Sequence, residues 1–208
     1  MTTDIASAIT HLSAQDPLLK AVIANTPSPP NFTAHANYYH ELASSIIGQQ
    51  LSVKAAATIE KRFKALFDDT FPSPEQILNK SADELRAVGL SYRKASYIQD
   101  LARHIIDGTV KFDTFDQLSN DDIIIELTRV KGIGEWTVHM FLMFCMGRLD
   151  VLPTGDLGIR TGIMRLYGLD TLPMSDTVHL IAEQYNWHPY ESVASWYVWQ
   201  SLNNNPKS

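Results

Sequence analysis

Apolar residues in this chain recur three and four positions apart and nowhere sustain alternation. Tyr39, Leu42, Ala43, Ile46 and Ile47 form one such stripe. Val53, Ala56, Ala57, Phe63, Leu66 and Phe67 form a second, and Ala95, Ile98, Leu101, Ala102, Ile105 and Ile106 a third. This spacing gathers side chains on one face of a helix, whereas a half-buried strand needs a period of two. Helix-start signals agree. Ser81 and Glu84 are spaced as a capping box, Ser119 and Asp122 as a weaker version, and Ser73-Pro74 reads as an N-cap followed by proline at the first helical position. Val193, Trp196, Trp199 and Leu202 mark a final helix. The pattern predicts an all-α chain of about ten or eleven short helices. It divides into a small helical lobe over about 32–115 and a second lobe formed by the N-terminal helix and about 116–208, with a cleft between them.

Composition narrows the class. Of 208 residues, 45% are hydrophobic, enough for a packed core. The formal net charge of −6 argues against nucleic-acid binding by bulk charge alone, although a local basic face is compatible with it. Lys54, Lys61, Arg93, Lys94, Arg129, Lys131 and Arg160 are candidates for such a face; a solvated helix surface is the simpler account of most of them. With Cys145 as the single cysteine, neither an internal disulfide nor a four-cysteine iron–sulfur cluster can form. No histidine has partners at metal-ligand spacing, so no metal site is expected. The start, MTTDIASAIT, lacks a basic region followed by an apolar stretch, and the apolar run Met140–Met146 is too short to span a bilayer. A soluble intracellular protein with no membrane contact is expected.

Residues 127–156 concentrate the chemistry. Val130-Lys131-Gly132-Ile133-Gly134 joins two helical patterns through a short turn. Gly132 and Gly134 allow positive φ and remove side chains that would block an approaching backbone. The start of the helix that follows presents unbonded N–H groups and the positive end of its dipole, which together suit a phosphate. A tight helix–helix connection is the simpler reading of an isolated Gly-x-Gly. The next helix, Trp136–Met146, is apolar on nearly all sides and is predicted to be central and buried. A Gly- and Pro-containing turn then ends on Asp156, which is placed either as a helix cap or as a functional carboxylate.

Residues 127–156 resemble the hairpin, loop and aspartate of the helix–hairpin–helix DNA glycosylase superfamily, with the hairpin motif at 127–138. Three more blocks follow the same order. Ser45-Ile46-Ile47-Gly48-Gln49-Gln50-Leu51-Ser52-Val53-Lys54-Ala55-Ala56 resembles the segment closing the N-terminal side of the cleft. Gly89-Leu90-Ser91 with Lys94 and Tyr97 forms another block. Trp187-His188-Pro189-Tyr190 through Trp199 resembles the C-terminal block of the 3-methyladenine DNA glycosylase II group, here in a compact form without the N-terminal β-rich domain of some relatives.

The resemblance implies a monofunctional glycosylase that flips an alkylated purine from double-stranded DNA in base excision repair and hydrolyses its N-glycosidic bond. The substrate is 3-methyladenine, with 7-methylguanine as a second candidate. Asp156 matches the catalytic aspartate; a fixed anion stabilises positive charge developing on the sugar and can orient water. Trp136 stands where strand-cutting relatives place a lysine nucleophile, which implies hydrolysis by water. Trp136, Trp199, Met140 and Leu157 are the implied base pocket. Aromatic faces suit bases that carry positive charge after methylation. Gln50 or Leu51 is the implied wedge filling the gap left by the flipped base, while Gln49 reads as a structural hydrogen bonder. Gly132, Gly134, Lys131 and Glu135 are the implied phosphate contacts.

No cofactor is required by this chemistry, though the resemblance is compatible with a monovalent cation on the hairpin carbonyls. A monomer is expected, working in the cytoplasm and nucleoid of a bacterium or the nucleus of a eukaryote. Met140 and Leu157 replace residues that are often aromatic in the group, and Glu191 stands where arginine is common. Two other readings remain at this point: a glycosylase/lyase for oxidised bases, opposed by Trp136, and a non-catalytic lesion-binding module, opposed by Asp156.

Overall fold

The protein is described by a computed structural model over residues 5–203. Among these residues there is no strand, only α1 (Ile5–Gln15), α2 (Pro17–Ala24), α3 (Tyr38–Gly48), α4 (Val53–Ala65), α5 (Pro74–Leu78), α6 (Ala82–Ala87), α7 (Tyr92–Ile106), the 3₁₀ helix η1 (Phe112–Gln117), α8 (Asn120–Leu127), α9 (Glu135–Phe144), α10 (Leu157–Leu166), α11 (Ser175–Gln184) and α12 (Glu191–Asn203). The all-α class is as expected. The helices, twelve α and one 3₁₀ among the described residues, are slightly more numerous than the ten or eleven expected.

The chain separates into two compact units, residues 36–141 and residues 1–35 with 142–208. The expected division near residue 115 thus falls at 141, and the hairpin lies in the first of these units. Local bonding explains the shift. Asp100 of α7 accepts the Lys131 N–H at 2.9 Å, and the Tyr38 ring of α3 lies 6.5 Å from Phe115 and 5.5 Å from Phe141. Segments 116–141 are therefore packed onto α3 and α7.

In unit 36–141, α7 is the central strut and packs against α3, α5 and α6. Its Ala95, Ile98, Leu101 and Ala102 are buried, as are Leu42, Ala43, Ile46 and Ile47 of α3, so most of these two stripes faces the core, while Ile106 at the end of α7 is exposed. Each fully buried Ile or Leu contributes roughly 1.5–3 kcal/mol. Capping boxes close the starts of α5 at Ser73 and of α6 at Ser81. The second stripe differs at its start: Val53 is 89% exposed at the first position of α4, while Phe63 and Phe67 are buried.

In the other unit, α12 packs against α1, α2 and α10. A fully buried carboxylate, Asp16, organises this core. Its Oδ1 accepts the Leu18 and Leu19 N–H groups and so caps α2, and its Oδ2 accepts the Trp187 indole N–H at 2.9 Å and the Tyr167 hydroxyl. Burial, reinforced by Asp16, pushes the Tyr167 hydroxyl well above the ordinary tyrosine value, so it stays a donor. Among the described residues no helix is long and apolar enough to cross a membrane.

Candidate functional site

Two turns in unit 36–141 carry the predicted DNA contacts. The first follows α3. Gln49 has φ −48° and ψ 130°, Gln50 has φ 57°, and Leu51 N–H donates to the Gly48 carbonyl at 3.1 Å. These values define a type II turn with Gln50 at the position that normally takes glycine. A non-glycine residue there costs roughly 1–3 kcal/mol, and such strain is commonly kept where a side chain must be presented. Gln50 and Leu51 are both exposed, so the two wedge candidates stand outward together. Exposed Val53 follows them; sequence periodicity had counted it with the core stripe.

The second turn is the hairpin. Gly132 adopts φ 82°, and a Cβ there would stand 2.1 Å from the Tyr97 ring, which lies across it. Gly134 differs from expectation. Its φ is not positive, and a Cβ would meet nothing within 4 Å, so its value lies in leaving the turn bare. Lys131 also differs: its N–H donates to Asp100 and is not among the outward amides. The Lys131 ammonium, 68% exposed, lies 3.6 Å from Asp100 Oδ1. The amides that open α9 begin at Glu135, one residue past Gly134. Gln49 is the structural bonder expected, its amide donating to the Gly132 carbonyl at 2.9 Å.

Two of the cations proposed for a phosphate face are engaged internally. The Lys94 ammonium donates to the Ile47 and Gln49 carbonyls at 2.8 and 2.6 Å, and partial burial lowers its pKa from the ordinary lysine value. Arg160, in the other unit, donates to the Pro173 carbonyl at 2.6 Å. Such contacts between distant segments leave no local signature in sequence.

Trp136 and Met140 share one face of α9, four residues apart. Trp136 is 55% exposed and Met140 half-buried, whereas Thr137, Val138, His139, Phe141, Leu142 and Met143 are buried. The helix is therefore mostly buried, as expected, but one face stays open.

The carboxylate lies in the other unit. Asp156 is the N-cap of α10, and its Oδ1 accepts the Ile159 N–H at 2.8 Å. The Trp199 indole N–H reaches the same oxygen at 2.8 Å. Asp156 is therefore a helix cap that also accepts an indole N–H. Trp199 in turn stacks on Phe144, with ring centroids 6.2 Å apart, and Phe144 stacks on Phe32 at 5.7 Å. Leu157, beside Asp156, is 65% exposed.

Gly158 makes this cluster possible. A Cβ there would stand 2.9 Å from Trp199 Cδ1 and 3.0 Å from both Trp199 Nε1 and Asp156 Oδ1. Sequence reasoning missed Gly158 and Phe144. The Gly158/Gly162 spacing of four was the only available hint, marking a close approach of two helices; a Cβ at Gly162 would stand 2.8 Å from the Val198 carbonyl. Trp187, Trp196 and Tyr190 act in packing: Trp187 is buried on Asp16, Trp196 meets Tyr197 and Tyr190 meets His11. Glu191 opens α12, where the helix dipole favours a carboxylate, and pairs with His188 Nδ1 at 3.0 Å. Among the described residues no His/Cys/Asp/Glu group is arranged to hold a metal ion.

A short hairpin at the start of an apolar helix, with a separate helix-capping carboxylate under an indole, defines a fold with a recognisable class. The model of the HhH-GPD superfamily of base excision DNA repair proteins matches residues 43–186. The chain belongs to that superfamily. It is 34% identical over 203 residues to DNA-3-methyladenine glycosylase 1 of Schizosaccharomyces pombe, covering 96% of this chain and 88% of the relative. The crystal structure of a Bacillus halodurans DNA-3-methyladenine glycosidase superposes with a TM-score of 0.84 at 35% identity, covering 98% of this chain and 92% of the other. The S. pombe 3-methyladenine DNA glycosylase in complex with abasic DNA gives a TM-score of 0.79 at 33% identity, with 97% and 99% coverage.

Proposed function

We propose that this protein is a monofunctional DNA glycosylase that removes alkylated purines, 3-methyladenine first and 7-methylguanine second, from double-stranded DNA in base excision repair. The observation that carries the reading is Asp156, a half-exposed carboxylate oriented by the Ile159 amide and the Trp199 indole. As the base leaves, positive charge grows on the sugar, and a fixed carboxylate stabilises it more in the transition state than before it. The same carboxylate orients or deprotonates the attacking water. Bases methylated on a ring nitrogen are cationic and already good leaving groups, so no second acid is needed.

The aromatic faces of Trp136 and of Trp199 each suit such a base, and Met140 and Leu157 are the further candidate contacts; each base–aromatic stack contributes roughly 1–3 kcal/mol. Gln50, with Leu51 beside it, fills the gap left by the flipped base. The amides from Gly134 and Glu135 onward grip a phosphate, Gly134 leaving room and the Lys131 ammonium adding charge. Trp136 in place of a lysine means that no Schiff base forms. The Val130 and Gly132 carbonyls each accept one hydrogen bond and keep a second lone pair, so they fit a monovalent cation, which would add positive charge beside that phosphate. The enzyme acts as a monomer where chromosomal DNA lies, in the nucleoid or the nucleus.

The test is incubation with methylated duplex DNA, with chromatography of the released bases and borohydride treatment of a parallel sample. Release of free 3-methyladenine with no covalent protein–DNA adduct is expected. A borohydride-trapped adduct would place the enzyme with the lyases, and absence of any released base would reduce it to a lesion-binding module.

A further inference from the structure

We propose that Lys94 is a positioning residue for base extrusion: it locks the turn at Gln49-Gln50 in the form that presents Gln50. Type I and type II turns differ chiefly in which way the peptide between their two central residues faces. Here that peptide is Gln49–Gln50, and its carbonyl is the one held by the Lys94 ammonium at 2.6 Å. Flipping the peptide would release this bond and return Gln50 to negative φ, which any side chain other than glycine prefers. The intrinsic preference of the sequence is therefore opposed by one tertiary contact.

Three further contacts fix the geometry of the lock. Lys94 also holds the Ile47 carbonyl at 2.8 Å, in the last turn of α3, where the helix dipole favours a cation. Lys94 itself sits in the first turn of α7, with its N–H on the Ser91 cap, so its stem starts from a rigid base. The Gln49 amide is tied to the Gly132 carbonyl at 2.9 Å, which anchors the residue before Gln50 to the hairpin. The turn is thus held from α7 and from the hairpin, while Gln50 stands exposed at φ 57°. An extruding side chain that must enter a base stack works best when its backbone is already placed, because no ordering remains to be done on binding.

The inference rests on Gln50 being the side chain that enters the stack, and the experiment separates the two ideas. Nuclear Overhauser spectra of the free protein report the turn: a strong Gln49 Hα to Gln50 HN cross-peak marks type II. Single-turnover excision from a paired methylated duplex reports extrusion, and excision from single-stranded methylated DNA, which needs no extrusion, is the control. Lys94→Met is expected to lose the cross-peak and to slow excision from the duplex by about tenfold, with less than about twofold change on single strands. Adding Gln50→Gly to Lys94→Met is expected to restore the cross-peak without restoring duplex excision, which shows that the single variant is folded. A cross-peak that persists in Lys94→Met overturns the lock. Loss of the cross-peak with wild-type excision from the duplex overturns its link to extrusion. Gln50→Ala alone decides the underlying reading: if it excises from the duplex at the wild-type rate, another side chain is the wedge.

Discussion

Asp16 and Asp156 are built from the same parts and differ in exposure. Both cap a helix through Oδ1, α2 in one case and α10 in the other, and both accept an indole N–H, from Trp187 and Trp199 respectively. Asp16 is fully buried and shares its donors between both oxygens, with two amides on Oδ1 and the Tyr167 hydroxyl and Trp187 indole on Oδ2. Asp156 is half-exposed, and its cap and indole bonds converge on one oxygen. A carboxylate sealed on all sides can only stabilise the fold. One left partly exposed is within reach of a molecule that arrives later. Accessibility, rather than residue type or local bonding, separates these two aspartates.

The largest effect should come from Asp156→Asn. Asparagine caps helices about as well as aspartate, so the fold should survive, while the rate of base release should fall by about 10²–10³-fold. Activity within twofold of wild type would remove the carboxylate from the mechanism. Asp16→Ala should break the comparison in the opposite direction. It leaves the Trp187 and Tyr167 donors and two helix amides without their acceptor, costing about 3 kcal/mol and lowering Tm by roughly 6–12 °C. Excision measured well below that Tm should be close to wild type, and a calorimetric scan beside the rate assay would reveal any other pattern.

Smaller effects should come from the indole. Trp199→Phe keeps a ring but removes the donor to Oδ1, and excision should slow by about tenfold with little change in Tm. Gly158→Ala should act similarly without altering any chemical group, because its Cβ must displace the Trp199 ring from Asp156. A single-turnover assay in which Gly158→Ala is silent would mean that the indole can yield without cost and that its bond to Asp156 orients nothing.

Features that depend on a few consecutive residues could be read directly. The Ser73 and Ser81 capping boxes, the bend at the hairpin and the cap at Asp156 are all bonds spanning about three or four residues, and each has a spacing to match. The hairpin turn lies where the glycine spacing puts it, but its Lys131 amide is already bonded within the protein. Nothing near Lys131 in sequence announces that its amide meets Asp100, thirty-one residues earlier. Val53 shows the converse failure. It has the period of a core residue, yet it begins α4 beside the exposed Gln50 turn, where no other element covers it.

The sequence by itself determined that the chain is helical, where its helices start, and where the hairpin turn and the capping aspartate fall, because propensity, capping and periodicity are local properties of the chain. Only the tertiary structure decided which of two similar aspartates stays accessible. It alone revealed that Lys94 and Arg160 point inward, that Gln50 is held in a conformation its own side chain disfavours, and that Gly158 is small so that an indole can reach Asp156. Those outcomes depend on which distant surfaces meet, and burial and long-range hydrogen bonds exist only once they have met.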